Sequence, residues 1–162
     1  MNPETASIRP PAERRYAAEL AALAAQDDFP KPAGWHLSPR AVRSFLLGDV
    51  RLGVSRKFYG DDPLVDRAIV SLMSHQGLML VGEPGTAKSL LSELLAAAIS
   101  GTSALVVQGS AGTTEDHIRY GWNYALLLAE GPSERALVPS PVLNAMRSGR
   151  IETGPELAAV SA

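Results

Sequence analysis

Leu78-Met79-Leu80-Val81-Gly82-Glu83-Pro84-Gly85-Thr86-Ala87-Lys88-Ser89 decides how the rest of this chain is read. An unbroken apolar run leads into a short polar loop, and Leu90, Leu91, Leu94, Leu95, Ala98 and Ile99 follow at helical spacing. Residues 82–89 match the template G-x-x-x-x-G-K-[ST] at every fixed position except 87, where alanine replaces the last glycine. Such a loop gathers successive backbone N–H groups around phosphate oxygens, and the helix behind it adds its own positive end. Lys88 is placed to neutralise the β and γ phosphates, and the Ser89 hydroxyl to ligate Mg²⁺. Gly85 permits backbone conformations that a side chain would hinder. In a helix-like conformation Ala87 costs no left-handed strain, whereas another chain path makes the extra methyl group damaging. The expected ligand is a nucleoside triphosphate, ATP with Mg²⁺; the plainer alternative is a turn before a core helix.

Working outward, Leu78 to Val81 has the continuous apolarity of a buried parallel strand, and Ala104-Leu105-Val106-Val107 is a second one. Strand, glycine-bearing loop, helix and strand make a βαβ unit with a right-handed crossover. Upstream, Asp62-Pro63 opens an amphipathic helix over 62–74, with Leu64, Val65, Ala68, Ile69, Leu72 and Met73 on one face. Ser38-Pro39 is a cap and first-turn pair for a helix through Leu47. Ala12 to Gln26 reads as a peripheral helix with a thin stripe of Tyr16, Leu20 and Leu23. Downstream, helices are expected over Tyr124–Glu130 and Pro141–Ser148.

Composition narrows the function classes. The chain has 162 residues, 46% hydrophobic and 20% charged, enough for one domain with a core. A formal net charge of −2 gives no global field for nucleic acid or an anionic membrane. The absence of cysteine removes disulfides and thiolate chemistry. No stretch reaches the roughly 18 uninterrupted apolar residues of a spanning helix, so no membrane insertion is expected and the cytoplasm is the default location.

Taken with Phe58-Tyr59-Gly60 and the helix over 62–74, the loop string from Leu80 to Ser89 resembles MoxR-like AAA+ ATPases, in which alanine before the lysine is tolerated. Gly121-Trp122-Asn123-Tyr124-Ala125 and Leu137-Val138-Pro139-Ser140-Pro141 resemble one bacterial branch of that group. The resemblance covers roughly residues 32–151. It implies a three-layer αβα P-loop NTPase with a parallel sheet, here incomplete, over 49–162, preceded by a tail and helical extension over 1–48. It implies nucleotide contacts from Phe58, Tyr59 and Gly60 at the adenine and from Gly82, Glu83, Pro84, Gly85, Thr86, Ala87, Lys88, Ser89 and Leu90 at the phosphates. Packing residues are the alternative reading of Phe58 and Tyr59. It also implies a ring oligomer that remodels a protein partner, often beside a von Willebrand A domain protein.

The pattern departs from the family where hydrolysis is prepared. An acidic pair ending an apolar strand is expected after Pro139-Ser140-Pro141 and its helix, but Arg150-Ile151-Glu152-Thr153-Gly154-Pro155-Glu156-Leu157 stands there. Pro155 falls on the first acid, and proline cannot donate to a central ladder. Glu156 matches the second acid and is the one candidate catalytic carboxylate, with a solvated tail residue as its alternative. The strand that would lie beside the phosphate-loop strand has no sequence to supply it. The expectation is therefore a truncated or diverged version, marginally stable alone, whose hydrolysis is doubtful. A non-hydrolysing ring subunit and a P-loop small-molecule kinase are the other readings. His36, His75 and His117 lack metal-ligand spacing. Asp27-Asp28, Asp61-Asp62 and Glu115-Asp116 fall at helix boundaries, where carboxylates serve structure. Thr113-Thr114 with Glu115-Asp116 is either a substrate-facing or a solvated loop. The basic cluster Arg40, Arg43, Arg51, Arg56 and Lys57 reads as a helix face.

Overall fold

The computed structural model describes residues 9–74, 76–107, 118–153 and 158–160. Helices α1 (Ala12–Arg15), α2 (Ala17–Ala25), α3 (Pro39–Leu47), α4 (Asp62–Met73) and α5 (Lys88–Ser100) supply its core. Ser38 caps α3 by accepting from Ala41 N at 3.2 Å, with Pro39 in the first turn. Asp62 and Pro63 open α4, and Gly101 closes α5 in the left-handed region. The expected helix over 12–26 is instead interrupted at Tyr16, whose φ of −114° breaks the helical path. One face each of α3, α4 and α5 interlocks through Phe45, Leu46, Val65, Leu72, Leu91, Leu94 and Leu95, all essentially inaccessible.

The N-terminal helices share that core. Ala12 is fully buried, and its N–H donates to Glu93 Oε1 of α5 at 3.0 Å. Arg9 pairs with the other oxygen of Glu93 at 3.1 Å. Glu13 accepts from Ser103 through both N–H (3.2 Å) and Oγ (2.7 Å), just beyond the end of α5. His36 N–H donates to the Ile99 carbonyl at 2.7 Å, binding the proline-rich connector to the same helix.

The strands differ from the sequence-based expectation. Leu78 and Val106 are single bridge positions, and no parallel sheet occurs among the described residues. Leu78 and Leu80 pack against the helical core, while Met79 and Val81 are 65% and 82% exposed. The run was expected to be buried on both faces, as its continuous apolarity suggests. Here the helices cover one face, so alternate side chains turn outward. The sheets among the described residues are two antiparallel pairs. In the first, β1 (Tyr120–Trp122) pairs with β2 (Leu137–Pro139) across α6 (Tyr124–Glu130). In the second, β3 (Ile151–Thr153) pairs with β4 (Ala158–Val160) after α7 (Pro141–Ser148). Asn123 and Ser140 cap α6 and α7, the latter also donating to the Ile118 and Arg119 carbonyls.

Candidate phosphate-binding loop

The loop at 82–87 is held by its own polar groups. Thr86 Oγ1 donates to the Glu83 carbonyl at 2.8 Å, and the Thr86 N–H makes a longer bond, 3.4 Å, to the same oxygen. Lys88 is the first residue of α5, and its Nζ donates to the carbonyls of Gly82 and Glu83 at 2.7 Å each and to Thr86 Oγ1 at 3.2 Å. Its ammonium thus closes the mouth of the loop, gathering three acceptors around one charge. Gly85 has φ +84°, a conformation L side chains rarely adopt.

Ala87 has φ +60° and ψ +21°, the left-handed region, immediately before the helix. The strain-free, helix-like alternative for this alanine is therefore excluded. A non-glycine residue there costs roughly 1–2 kcal/mol. Its side chain gives α5 no cap, and the first turn contains no acid. The opening N–H groups of any helix lack intrahelical partners. With neither cap nor carboxylate beside them, these face out of the helix end at the loop, where an anion is favoured. The loop is solvent-exposed, with Lys88 and Leu90 half-buried and Ser89 exposed.

This arrangement fits a triphosphate: a short loop closed by its own hydrogen bonds, an uncapped helix start and one ammonium. For Mg²⁺ the fit rests on the Ser89 hydroxyl. No cluster of His, Cys, Asp or Glu suited to a metal occurs among the described residues. Phosphate oxygens and water would supply the remaining ligands, as Mg²⁺ commonly accepts.

The proposed adenine segment divides in two. Phe58 is a core residue at 4% exposure, whereas the Tyr59 ring is 82% exposed, with the Arg56 guanidinium 5.7 Å from its centroid. Gly60 lies against the Phe58 ring: a Cβ there would come within 2.4 Å of it. No hydrogen bond or ring contact joins 58–60 to the loop among the described residues. Glu156, and with it the catalytic assignment, lies outside the described residues, as do His75, His117, Thr113-Thr114 and Glu115-Asp116. The flanking β3 and β4 run antiparallel, unlike the central parallel strand that an acidic pair would end.

Several cations of the upstream basic cluster already have partners. Arg43 pairs with Asp66 at 2.7 Å, Arg56 with Asp62, and Lys57 with Glu19, while Arg40 stacks on Phe29 at 4.6 Å. A cleft of about 300 Å³ between α2, α3 and the turn after α3 is lined by Phe29, Arg40, Asp49 and Arg51, among others. It contains none of the loop residues. The loop chemistry therefore sits on an exposed surface outside this cleft, as backbone-based phosphate binding permits.

No local pattern marks the polar knot centred on Lys57. This side chain is 2% exposed; its Nζ donates to Glu19 Oε2 (2.5 Å), the Ser55 carbonyl (2.8 Å) and the Phe45 carbonyl (3.0 Å). Burial lowers its pKa, and the hydrogen bond and charge of Glu19 recover only part of that. Glu19 is raised by burial, but the bonds from Lys57 and Ser55 together with the Lys57 charge outweigh this and leave it lowered. The two directions favour opposite charge states for the pair. Geometry decides for the ionised form, because three acceptors surround Nζ and an ammonium has three protons to give.

Against known proteins, residues 77–153 match the model of the AAA domain, dynein-related subfamily. YehL of Escherichia coli (strain K12), an uncharacterized protein, is 56% identical over 152 residues, covering 93% of this chain. The chain spans 42% of that relative's length. No solved structure matches the chain significantly. The domain match begins just before Leu78 and takes in the whole loop, α5 and both flanking apolar runs. It supports an AAA-type P-loop nucleotide-binding module, with the nucleotide and Mg²⁺ binding such modules imply. No helix among the described residues is long and apolar enough to cross a membrane.

Proposed function

We propose that this chain is the nucleotide-binding part of a MoxR-like AAA+ ATPase, holding Mg-ATP at Gly82–Leu90 with the base beside Tyr59 and Gly60. The observation that carries the reading is the Lys88 ammonium drawn over the Gly82 and Glu83 carbonyls at an uncapped, acid-free helix start. The domain match over the same residues supports it. In this reading the loop amides and Lys88 hold the phosphates, Ser89 contributes a hydroxyl to Mg²⁺, and the exposed Tyr59 ring offers a face to the base. Mg²⁺ supplies charge neutralisation across the β and γ phosphates. The module works in the cytoplasm within a ring, passing the energy of ATP to a protein partner.

Titration calorimetry with Mg-ATP tests the reading. Saturable heat with the native chain, lost in Lys88→Ala, is the expected result. No heat, or equal heat from both proteins, rejects it.

A second reading, a ring subunit that binds but does not hydrolyse, is favoured by the antiparallel pairing of Ile151–Thr153. A carboxylate pair poised on water requires a strand that ends at the phosphates, and this hairpin is not such a strand. Phosphate release measured on the calorimetry sample separates the two, since binding without turnover selects the second.

A further inference from the structure

We propose that Lys57 is a positioning residue for the nucleotide base, using Glu19 of α2 as an anchor to fix the 58–60 segment. The inference rests on the reading of that segment as the base-contacting one.

Four ties converge on residues 55–60. The Lys57 ammonium reaches Glu19, the Ser55 carbonyl and the Phe45 carbonyl, with the Phe45 ring centroid at 4.3 Å and that of Tyr16 at 4.8 Å. The backbone N–H groups of Lys57 and Phe58 both donate to the Leu46 carbonyl, at 2.9 and 3.0 Å. Ser55 donates to Glu19 from N and Oγ, each at 3.0 Å. Arg56 Nε holds the Phe58 carbonyl at 2.8 Å while its other end pairs with Asp62 at the start of α4. The segment is thus stitched to α2, α3 and α4 at once. Gly60, pressed on the Phe58 ring, leaves little freedom at the far end.

What distinguishes Lys57 is its depth. A buried ammonium that makes its full set of bonds has one geometry, and that geometry fixes where Phe58 and Tyr59 follow. Glu19 and Lys57 are far apart in the chain, so α2 ties down the base segment from a distant stretch of sequence. The loop has its own internal bonds and shares none with this knot. Disturbing Lys57 should therefore weaken recognition of the base and leave recognition of phosphate intact.

The test compares Mg-ATP with Mg-tripolyphosphate, which offers the phosphates and no base, on the native chain, Lys57→Met and Ser55→Ala. Methionine keeps the apolar stem between Tyr16 and Phe45 and removes the charge. Expected for Lys57→Met is about a ten-fold weaker Kd for Mg-ATP, with tripolyphosphate within about two-fold of native. Ser55→Ala, which removes the hydroxyl bond to Glu19, keeps the backbone one and buries no unpaired charge, moves Mg-ATP in the same direction by less. Should Lys57→Met fail to fold by circular dichroism, Ser55→Ala carries the comparison alone. Equal weakening of both ligands, or of neither, in a folded variant overturns the proposal. A native chain that binds tripolyphosphate as tightly as ATP overturns the base-segment reading, and this inference with it. A native chain that binds neither overturns the phosphate-loop reading itself.

Discussion

Lys88 Nζ lies 2.7 Å from the carbonyl oxygen of Gly82, so the last lysine of the chain clasps the first residue of its own loop. The clasp is exposed and polar throughout. At an exposed site these bonds largely replace equivalent bonds to water, so they add little to folding. In the proposed function their worth is to hold the ammonium where phosphate oxygens would arrive.

Lys88→Met should therefore separate binding from stability. We expect an unfolding free energy within about 1 kcal/mol of native and Mg-ATP affinity reduced about 100-fold or more, the loss of strong charge-assisted bonds. Chemical denaturation and calorimetry on one preparation check both. A large stability loss would mean the lysine is chiefly structural.

Ala87 carries the strain of a left-handed backbone in the same loop. Ala87→Gly should stabilise the chain by about 1 kcal/mol, raising Tm by a few degrees, because glycine adopts that conformation without the Cβ clash. Differential scanning calorimetry reads this directly. An unchanged or lower Tm would place residue 87 in a different conformation.

The exposed face of the 78–81 run makes a contrast of two deletions informative. Val81→Ala should shift stability by less than about 0.5 kcal/mol, as exposed sites do. Leu95→Ala, at 1% exposure in the centre of α5, should cost about 2–5 kcal/mol. A loss at Val81 comparable to that at Leu95 would mean that Val81 is covered in solution.

Asp27 and Glu19 give the fold an acid-sensitive side. Burial pushes the Asp27 carboxyl up, but hydrogen bonds from the Ser38 hydroxyl and N–H, and the nearby Lys31, outweigh it and leave the pKa below the ordinary 3.8. Glu19 is lowered from 4.5 by its bonds to Lys57 and Ser55, again against burial. A carboxyl with a lowered folded value takes protons more readily in the unfolded chain. Its contribution is complete above the ordinary value and is lost as pH falls through the folded one. Urea midpoints should hold near neutrality and decline below about pH 5, with a shallower decline in Asp27→Asn. An identical decline in that variant would remove Asp27 from the account.

The helices were legible because their ends are written locally. Ser38-Pro39, Asp62-Pro63 and Ser100-Gly101 each mark a boundary in adjacent residues, and the apolar spacing between them settles which face is buried. The loop was legible for the same reason. The burial of the apolar runs was less legible, because a run such as Leu78 to Val81 does not say whether one face or two will be covered. Three-residue strands such as Tyr120–Trp122 carry too little periodicity to show, and Pro139 inside its partner reads as a turn. Glu19 stands in a helix-forming stretch with nothing beside it in sequence that marks a partner. Its meeting with Lys57 depends on how α2 lies on α3, which no local pattern records.

Glu93 and Ser103, one on α5 and one just past it, look back to residues 9–13 for their partners. A shortened version starting after Tyr16 would keep every motif residue and still be a poorer protein. The helix that presents Lys88 would have an orphaned carboxylate on its flank and an empty seat where Ala12 had been. An affinity tag or a cleavage site is therefore safer ahead of Arg9 than inside the first two helices.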